Sequence, residues 1–515
     1  MSLSSRAGEL VMIGFPGTEL DRSFATQIKE DGIGGVILFT RNVVDGAQLR
    51  SMTEALQALV PAELPLLISI DQEGGIVSRI APAAGTAFPG NMALGATGSA
   101  ELTEAAARAV GEELRALGIN FNLAPVLDVN NNPRNPVIGV RSFGEDPALV
   151  AALGNAAVRG YQRAGVLACG KHFPGHGDTA VDSHLAFSAV PHGKERLEAV
   201  ELVPFKAAIE EGIAAIMTAH VGFPAYEPEE GRPATLSHAV LTGLLREELG
   251  YDGLVITDCM EMKAIADGVG TVPAAVEAIK AGADIVLISH TQETQRAAVK
   301  AIAAAIESGE IPAERAEAAL NRVTKARKQV AETGRPSLDV LKCEKHETLS
   351  AQIAEAAVTV VKDEAGLLPL SPDGLGVIVC GTVPQSFAEE YLAFANDPAL
   401  AQAFRAAVPG AEVLVVDRAP TAAQIEAAVG VAGRAKTVVL GTYLSLQFPA
   451  QADLVAAVQQ ANPRTVVVAQ RSPYDLRAFE ASTYVAQYEE KPMMAKAVVE
   501  ALLSGRAPGK LTVTI

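Results

Sequence analysis

Three of the chain's eight histidines and two aspartates fall within fourteen residues, Lys171-His172-Phe173-Pro174-Gly175-His176-Gly177-Asp178-Thr179-Ala180-Val181-Asp182-Ser183-His184. Pro174, Gly175 and Gly177 are unsuited to a helix or a central strand, so the stretch reads as a loop. Two chemistries compete for it. His172, His176 and His184 among Asp178 and Asp182 could hold a metal ion, but the His172 to His176 spacing suits a helical ligand pair that Pro174 and Gly175 deny. No His-x-His stands at an early strand end either, so no metal or cofactor is expected. Proton transfer is the other chemistry. In Asp182-Ser183-His184 a carboxylate two residues before a histidine can accept the ring Nδ1–H and leave Nε2 free to move a proton. A further carboxylate, Asp258, ends the buried run 253–257 and could serve as metal ligand, nucleophile or hydrogen-bonded structural residue.

These residues must be positioned by the elements around them. Short apolar runs of strand type recur at 10–15, 35–39, 66–70, 121–127, 166–170, 215–219, 253–257 and 284–288. Amphipathic helical patterns lie between them, for example at 101–117, 147–164, 195–211 and 237–249. Eightfold strand–helix alternation predicts a closed (β/α)8 barrel of the TIM type; a doubly wound open sheet is the alternative. No GxGxxG or GxxxxGK[ST] follows any run, which argues against nucleotide binding. Barrel chemistry sits at the carboxyl ends of strands. The residues just past the runs include Asp71, Asp128, Lys171 with His172, His220, Asp258 and Ser289-His290.

Helical patterns at 293–307 and 312–333 complete the barrel, and Gly334-Arg335-Pro336-Ser337 breaks the pattern. The expected division is a barrel domain over 1–340 and a second domain over 341–515. The second series of runs, 358–361, 377–379, 413–416, 437–440 and 465–468, predicts an α/β open-sheet sandwich. It shows no dense cluster of catalytic residue types, so it reads as structural or regulatory support.

Composition narrows the partners. Lys and Arg number 42 against 60 Asp and Glu, and a formal charge of −18 argues against nucleic acid or an anionic membrane as partner. The four scattered cysteines form no CxxC pair and suggest free thiols in a reducing compartment. Residues 1–16 carry no basic segment followed by a long apolar one, and no run is long enough to span a membrane. The expectation is a cytoplasmic soluble protein.

The fourteen-residue stretch fits the signature Lys-His-[Phe/Ile]-Pro-Gly-[His/Leu]-Gly-x-x-x-x-Asp-[Ser/Thr]-His at every specified position, and so resembles the β-N-acetylglucosaminidases of glycoside hydrolase family 3. The resemblance continues in Ile70-Asp71-Gln72-Glu73-Gly74-Gly75 with Arg79, in 135–144 around Arg141, in Thr257-Asp258, and in Val360-Val361-Lys362 with Leu367-Leu368-Pro369. It implies a retaining exo-glycosidase that releases terminal β-linked N-acetylglucosamine, with cell-wall muropeptides in peptidoglycan recycling as the source. By the same resemblance Asp258 stands at the nucleophile position, His184 at the acid/base position with Asp182 orienting it, and Asp71, Arg79, Arg141, Lys171 and His172 at sugar-binding positions. His176 falls where the signature also admits Leu, which suggests packing. Asp178, His220, Asp128 and Glu73 would support the site from behind. The absence of Trp and the 4% aromatic content suit recognition by hydrogen bonds without ring stacking. A histidine acid/base is neutral once it has given up its proton, so an anionic acceptor such as phosphate would meet no repulsion, and phosphorolysis is an alternative to hydrolysis. β-Glucosidase specificity is a competing expectation, but β-glucosidases of the family generally lack the Asp-x-His dyad. A non-enzymatic sugar-binding protein competes from a different class, but it would have no need of both Asp258 and His184.

Overall fold

The computed structural model describes residues 2–180, 187–382 and 397–515. Eight parallel strands close into a barrel in sequence order: β1 (Val11–Ile13), β2 (Gly35–Leu38), β3 (Leu67–Ile70), β4 (Phe121–Asn122), β5 (Leu167–Phe173), β6 (Ala215–Thr218), β7 (Leu254–Cys259) and β8 (Ile285–Ile288). Their apolar residues are buried on both faces, inside by neighbouring strands' side chains and outside by the helices, which explains why these segments read as continuous apolar runs. The predicted barrel is present, and the open-sheet alternative is not.

Three local differences from the expected pattern have physical causes. The 121–127 run yields only a two-residue strand, because Pro125 has no N–H to donate; pairing resumes as a single bridge between Val126 and Lys171. β5 runs on through Lys171, His172 and Phe173, so the first part of the supposed loop is buried strand. The 195–211 pattern forms two helices, Lys194–Ala199 and Val203–Glu210, the second with Pro204 in its first turn.

A second sheet follows, ordered β9 (Thr359–Asp363), β14 (Thr483–Ala486), β13 (Thr465–Ala469), β12 (Thr437–Thr442), β10 (Leu375–Cys380) and β11 (Glu412–Val416); only β9 runs antiparallel to its neighbour. Apolar cores cover both faces. One of them takes in Met92, Ala93 and Ala96 from helix α1 (Asn91–Thr97). Helix α2 (Gln292–Ser308) follows β8 and buries Ala298 and Ile302 in the barrel core. The expected boundary at 340/341 falls in a turn just before helix α3 (Glu344–Ala357), which touches both units: Ile353 belongs to the barrel core and Ala354 to the second core. No helix among the described residues is long and apolar enough to cross a membrane.

The start of α3 is tied to the barrel through Glu113, which is 1% exposed. Its carboxylate accepts from the Thr86 N–H and hydroxyl at 2.8 and 2.7 Å, the Lys342 N–H at 3.1 Å and His346 Nδ1 at 2.9 Å. Removing it strands four donors, so Glu113→Ala is expected to cost about 3 kcal/mol. A thermal midpoint within a degree of wild type would contradict this.

Candidate active site

The mouth of the barrel is built on a buried ion network. Glu73, just past β3, receives Arg141 in a forked pair, Nε to Oε2 at 2.9 Å and Nη2 to Oε1 at 2.8 Å, and Lys171 Nζ lies 2.7 Å from Oε1. Lys171 also donates to Asp71 Oδ1 at 2.6 Å. Two carboxylates and two cations thus balance in a site from which water is largely excluded, Lys171 and Arg141 being 2% and 6% exposed. Burial alone would raise the Glu73 pKa, but the Arg141 and Lys171 charges overcome it and hold the group well below the usual carboxylate range. Burial opposes the Lys171 charge too, and Asp71 and Glu73 outweigh it, so the ammonium is held more firmly than in water.

A second buried group organises the start of the signature segment. Asp128 accepts from the His172 N–H at 3.1 Å and the His176 N–H at 2.6 Å through Oδ1, and from His172 Nδ1 at 2.7 Å through Oδ2. A carboxylate partner fixes Nδ1 of His172 as a donor, so Nε2 is the ring's remaining polar atom. His176 packs edge-on to His172, with ring centroids 5.7 Å apart, and its Nδ1 lies 2.9 Å from the Thr179 hydroxyl. Asn135 Nδ2 donates to the carbonyls of His176 and Gly177, each at 2.9 Å. Glycine is required at 177, because a Cβ there would stand 1.7 Å from the Val129 carbonyl oxygen.

Asp258 is the penultimate residue of β7, at the carboxyl end of the barrel, and its Oδ1 accepts from the Cys259 N–H at 2.7 Å. The strand end is held from two sides. Thr257 Oγ1 accepts from the Leu287 N–H at 3.0 Å, and His220 Nε2–H donates to the Cys259 carbonyl at 2.9 Å. Asp71 just past β3, Lys171 in the last part of β5 and Asp258 near the end of β7 all stand at the carboxyl end of the barrel. Arg79 is buried, its guanidinium 6.0 Å from the ring centre of Phe39, the residue just past β2.

Six of the eight site residues expected from sequence, Asp71, Arg79, Arg141, Lys171, His172 and Asp258, are therefore at the barrel mouth. Asp182 and His184 lie outside the described residues. Glu73 and Asp128 bind more of the site together than their sequence context suggested. Glu489 reaches in from the second sheet: its Oε1 accepts from the Gly90 N–H at 3.2 Å, and it shares a small cavity with Glu73, Gly75 and Arg141. No sequence signal marks Glu489, and sequence reasoning missed it. Asp178 is bound elsewhere, to His192 Nε2 at 2.6 Å.

A (β/α)8 barrel whose strand ends gather carboxylates and buried cations has the form of a barrel enzyme. Residues 2–326 match the glycosyl hydrolase family 3 N-terminal domain, and the chain belongs to that family. It is 41% identical over 381 residues to "Beta-hexosaminidase A" of Pseudoalteromonas piscicida, covering 68% of this chain and 63% of that protein. It is 38% identical over 289 residues to "Beta-hexosaminidase" of Thiobacillus denitrificans, covering 55% and 79%. The chain thus spans less than two thirds of the first of these relatives. Among solved structures, a glycoside hydrolase family 3 beta-N-acetylglucosaminidase from Paenibacillus sp. str. FPU-7 superposes with a TM-score of 0.92 at 42% identity, covering 100% of this chain and 99% of that one.

His176 yields a pH prediction. Burial, then the neighbouring His172, lowers its pKa from the ordinary 6.5 to about 4. The folded state then binds fewer protons than the unfolded chain between those values. This residue's contribution is complete above the unfolded pKa and is lost as pH falls from 6.5 towards 4, by about 3 kcal/mol. His176→Leu should flatten that acid loss in denaturant titrations at a series of pH values. An unchanged pH profile would show that His176 is not the group responsible.

Proposed function

We propose that this protein is a retaining exo-β-N-acetylglucosaminidase. The observation that carries the reading is the full-length superposition on the Paenibacillus enzyme at 42% identity. The hexosaminidase names of the curated relatives point the same way.

In this reading the Asp258 carboxylate attacks the anomeric carbon while the glycosidic C–O bond breaks, and His184 gives its proton to the departing oxygen. Water then attacks the glycosyl ester, His184 takes the water proton, and Asp258 leaves as carboxylate. Asp182 accepts the His184 Nδ1–H and keeps Nε2 towards the reacting oxygens. Asp71, Arg79, Arg141, Lys171 and His172 hold the sugar's hydroxyl groups. The ion network supports this role because it already orients Lys171 and Asp71, so little ordering would remain when sugar binds. The substrate is a small fragment with terminal N-acetylglucosamine, such as a peptidoglycan-derived muropeptide, processed in the cytoplasm; four unpaired cysteines support a reducing compartment.

An aryl β-N-acetylglucosaminide assayed beside the matching β-glucoside tests the specificity. Preference for the N-acetylated sugar is expected, and equal or greater turnover of the glucoside would contradict it. Asp258→Asn should abolish turnover, and substantial remaining activity would remove it as nucleophile. His184→Ala should lower turnover of substrates with poor leaving groups by about 10²–10⁴-fold while sparing activated aryl glycosides. Equal losses on both would contradict general acid catalysis. Product analysis in phosphate against a non-nucleophilic buffer separates the two acceptors: the hydrolase reading expects free sugar in both, and sugar 1-phosphate would make the enzyme a phosphorylase.

A further inference from the structure

Cys259, Glu261 and His290 bring three different metal-ligating side chains together at the barrel mouth. Cys259 ends β7, Glu261 lies in the turn after it, and His290 follows β8. One ligand atom from each lies within 4.8 Å of the others. The frame is fixed by neighbouring contacts. Glu261 accepts from the His290 N–H at 2.6 Å and the Thr291 N–H at 3.0 Å, which ties the turn after β7 to the start of α2. His220 holds the Cys259 carbonyl from the other side at 2.9 Å. Each Glu261 oxygen takes one N–H and keeps a lone pair, Cys259 and Glu261 are half-buried, and the His290 side chain is exposed, so an ion can reach the group from solvent.

We propose that Cys259, Glu261 and His290 form a binding site for a borderline-soft divalent cation, Zn²⁺ above all. A sulfur, a ring nitrogen and a carboxylate oxygen match zinc sites with three protein ligands and a water in the fourth position. Magnesium and calcium are disfavoured, since both prefer all-oxygen shells. Tetrahedral zinc sets its ligand atoms roughly 3.5 Å apart, so the group needs to close by no more than about 1 Å on binding. On ligation the Cys259 S–H bond breaks, the sulfur lone pair forms the Zn–S bond, and the proton leaves to solvent with no change of oxidation state. The group Asp178, His192 and Glu201 offers no sulfur, and its Glu201 carboxylate is already paired with the Arg196 guanidinium at 2.9 Å.

The site stands one residue from Asp258, whose carboxylate accepts from the Cys259 N–H. A bound dication there attracts that carboxylate and blunts it as a nucleophile, so zinc should inhibit turnover reversibly. This consequence rests on the role proposed for Asp258, whereas binding itself does not.

Metal-free protein titrated with Zn²⁺ by calorimetry should bind one equivalent. Co²⁺ in its place should give an intense near-ultraviolet band from thiolate ligation, absent in Cys259→Ser. His290→Gln, a change at an exposed side chain, should weaken zinc binding by at least about tenfold. It should also keep metal-free activity and relieve zinc inhibition. No zinc binding, or binding that both variants leave intact, would overturn the site, as would loss of binding in His192→Gln instead. Zinc that binds with the expected variant dependence and leaves activity unchanged would overturn the inhibitory consequence alone.

Discussion

Glu73 is the group on which the barrel mouth depends. A carboxylate in that position is costly by itself, because burial removes its water. It becomes favourable only with the Arg141 fork and the Lys171 ammonium in place, and each of those cations would in turn be strongly destabilising without it. The four charges therefore form one unit. The Asp71 carboxylate, which is 17% exposed, is the most exposed member. A site held this way presents charged groups in fixed directions, which is the condition for recognising a polyhydroxylated ligand without aromatic surfaces.

The second sheet is joined to this network and does more than fill space beside it. Tyr474 and Asn130 meet at 3.2 Å, α1 contributes to the second core, and Glu489 lies against the Gly74-Gly75 turn. Burial pushes the Glu489 carboxyl up to about 8, so it is protonated near neutrality, which fits its place beside the charge-balanced Glu73 and Arg141. A Cβ on Gly75 would come 2.8 Å from Glu489 Oε2 and 2.7 Å from Gly90 Cα, so the close approach of the two units there requires glycine. Glu489 and the Gly74-Gly75 turn thus meet beside Glu73 and Arg141.

The barrel is legible because parallel strands buried on both faces leave unmistakable apolar runs, and the carboxyl-end rule points to Asp71, Lys171, His172 and Asp258 among others. The signature segment was legible as a family resemblance. What stayed hidden was pairing. Glu73 meets Arg141 across 68 residues and Asp128 meets His172 across 44, and no local pattern encodes such partners. Lys171 and His172 read as loop because Pro174, Gly175 and Gly177 follow them, yet both lie in the strand before that break, where carboxylates compensate their charge. The sixth strand of the second sheet, Thr483–Ala486, carries Val485 as its one branched aliphatic residue and so shows no apolar run, and Glu489 just beyond it has no signal of its own.

The covalent glycosyl ester proposed on Asp258 is tested most directly by trapping it. Protein incubated with a fluorinated N-acetylglucosaminyl fluoride, which forms the ester faster than it releases it, would be digested and its peptides weighed. The account predicts loss of activity together with one added sugar on the peptide containing Asp258. Label on another residue, or full inactivation with no covalent sugar, would contradict it.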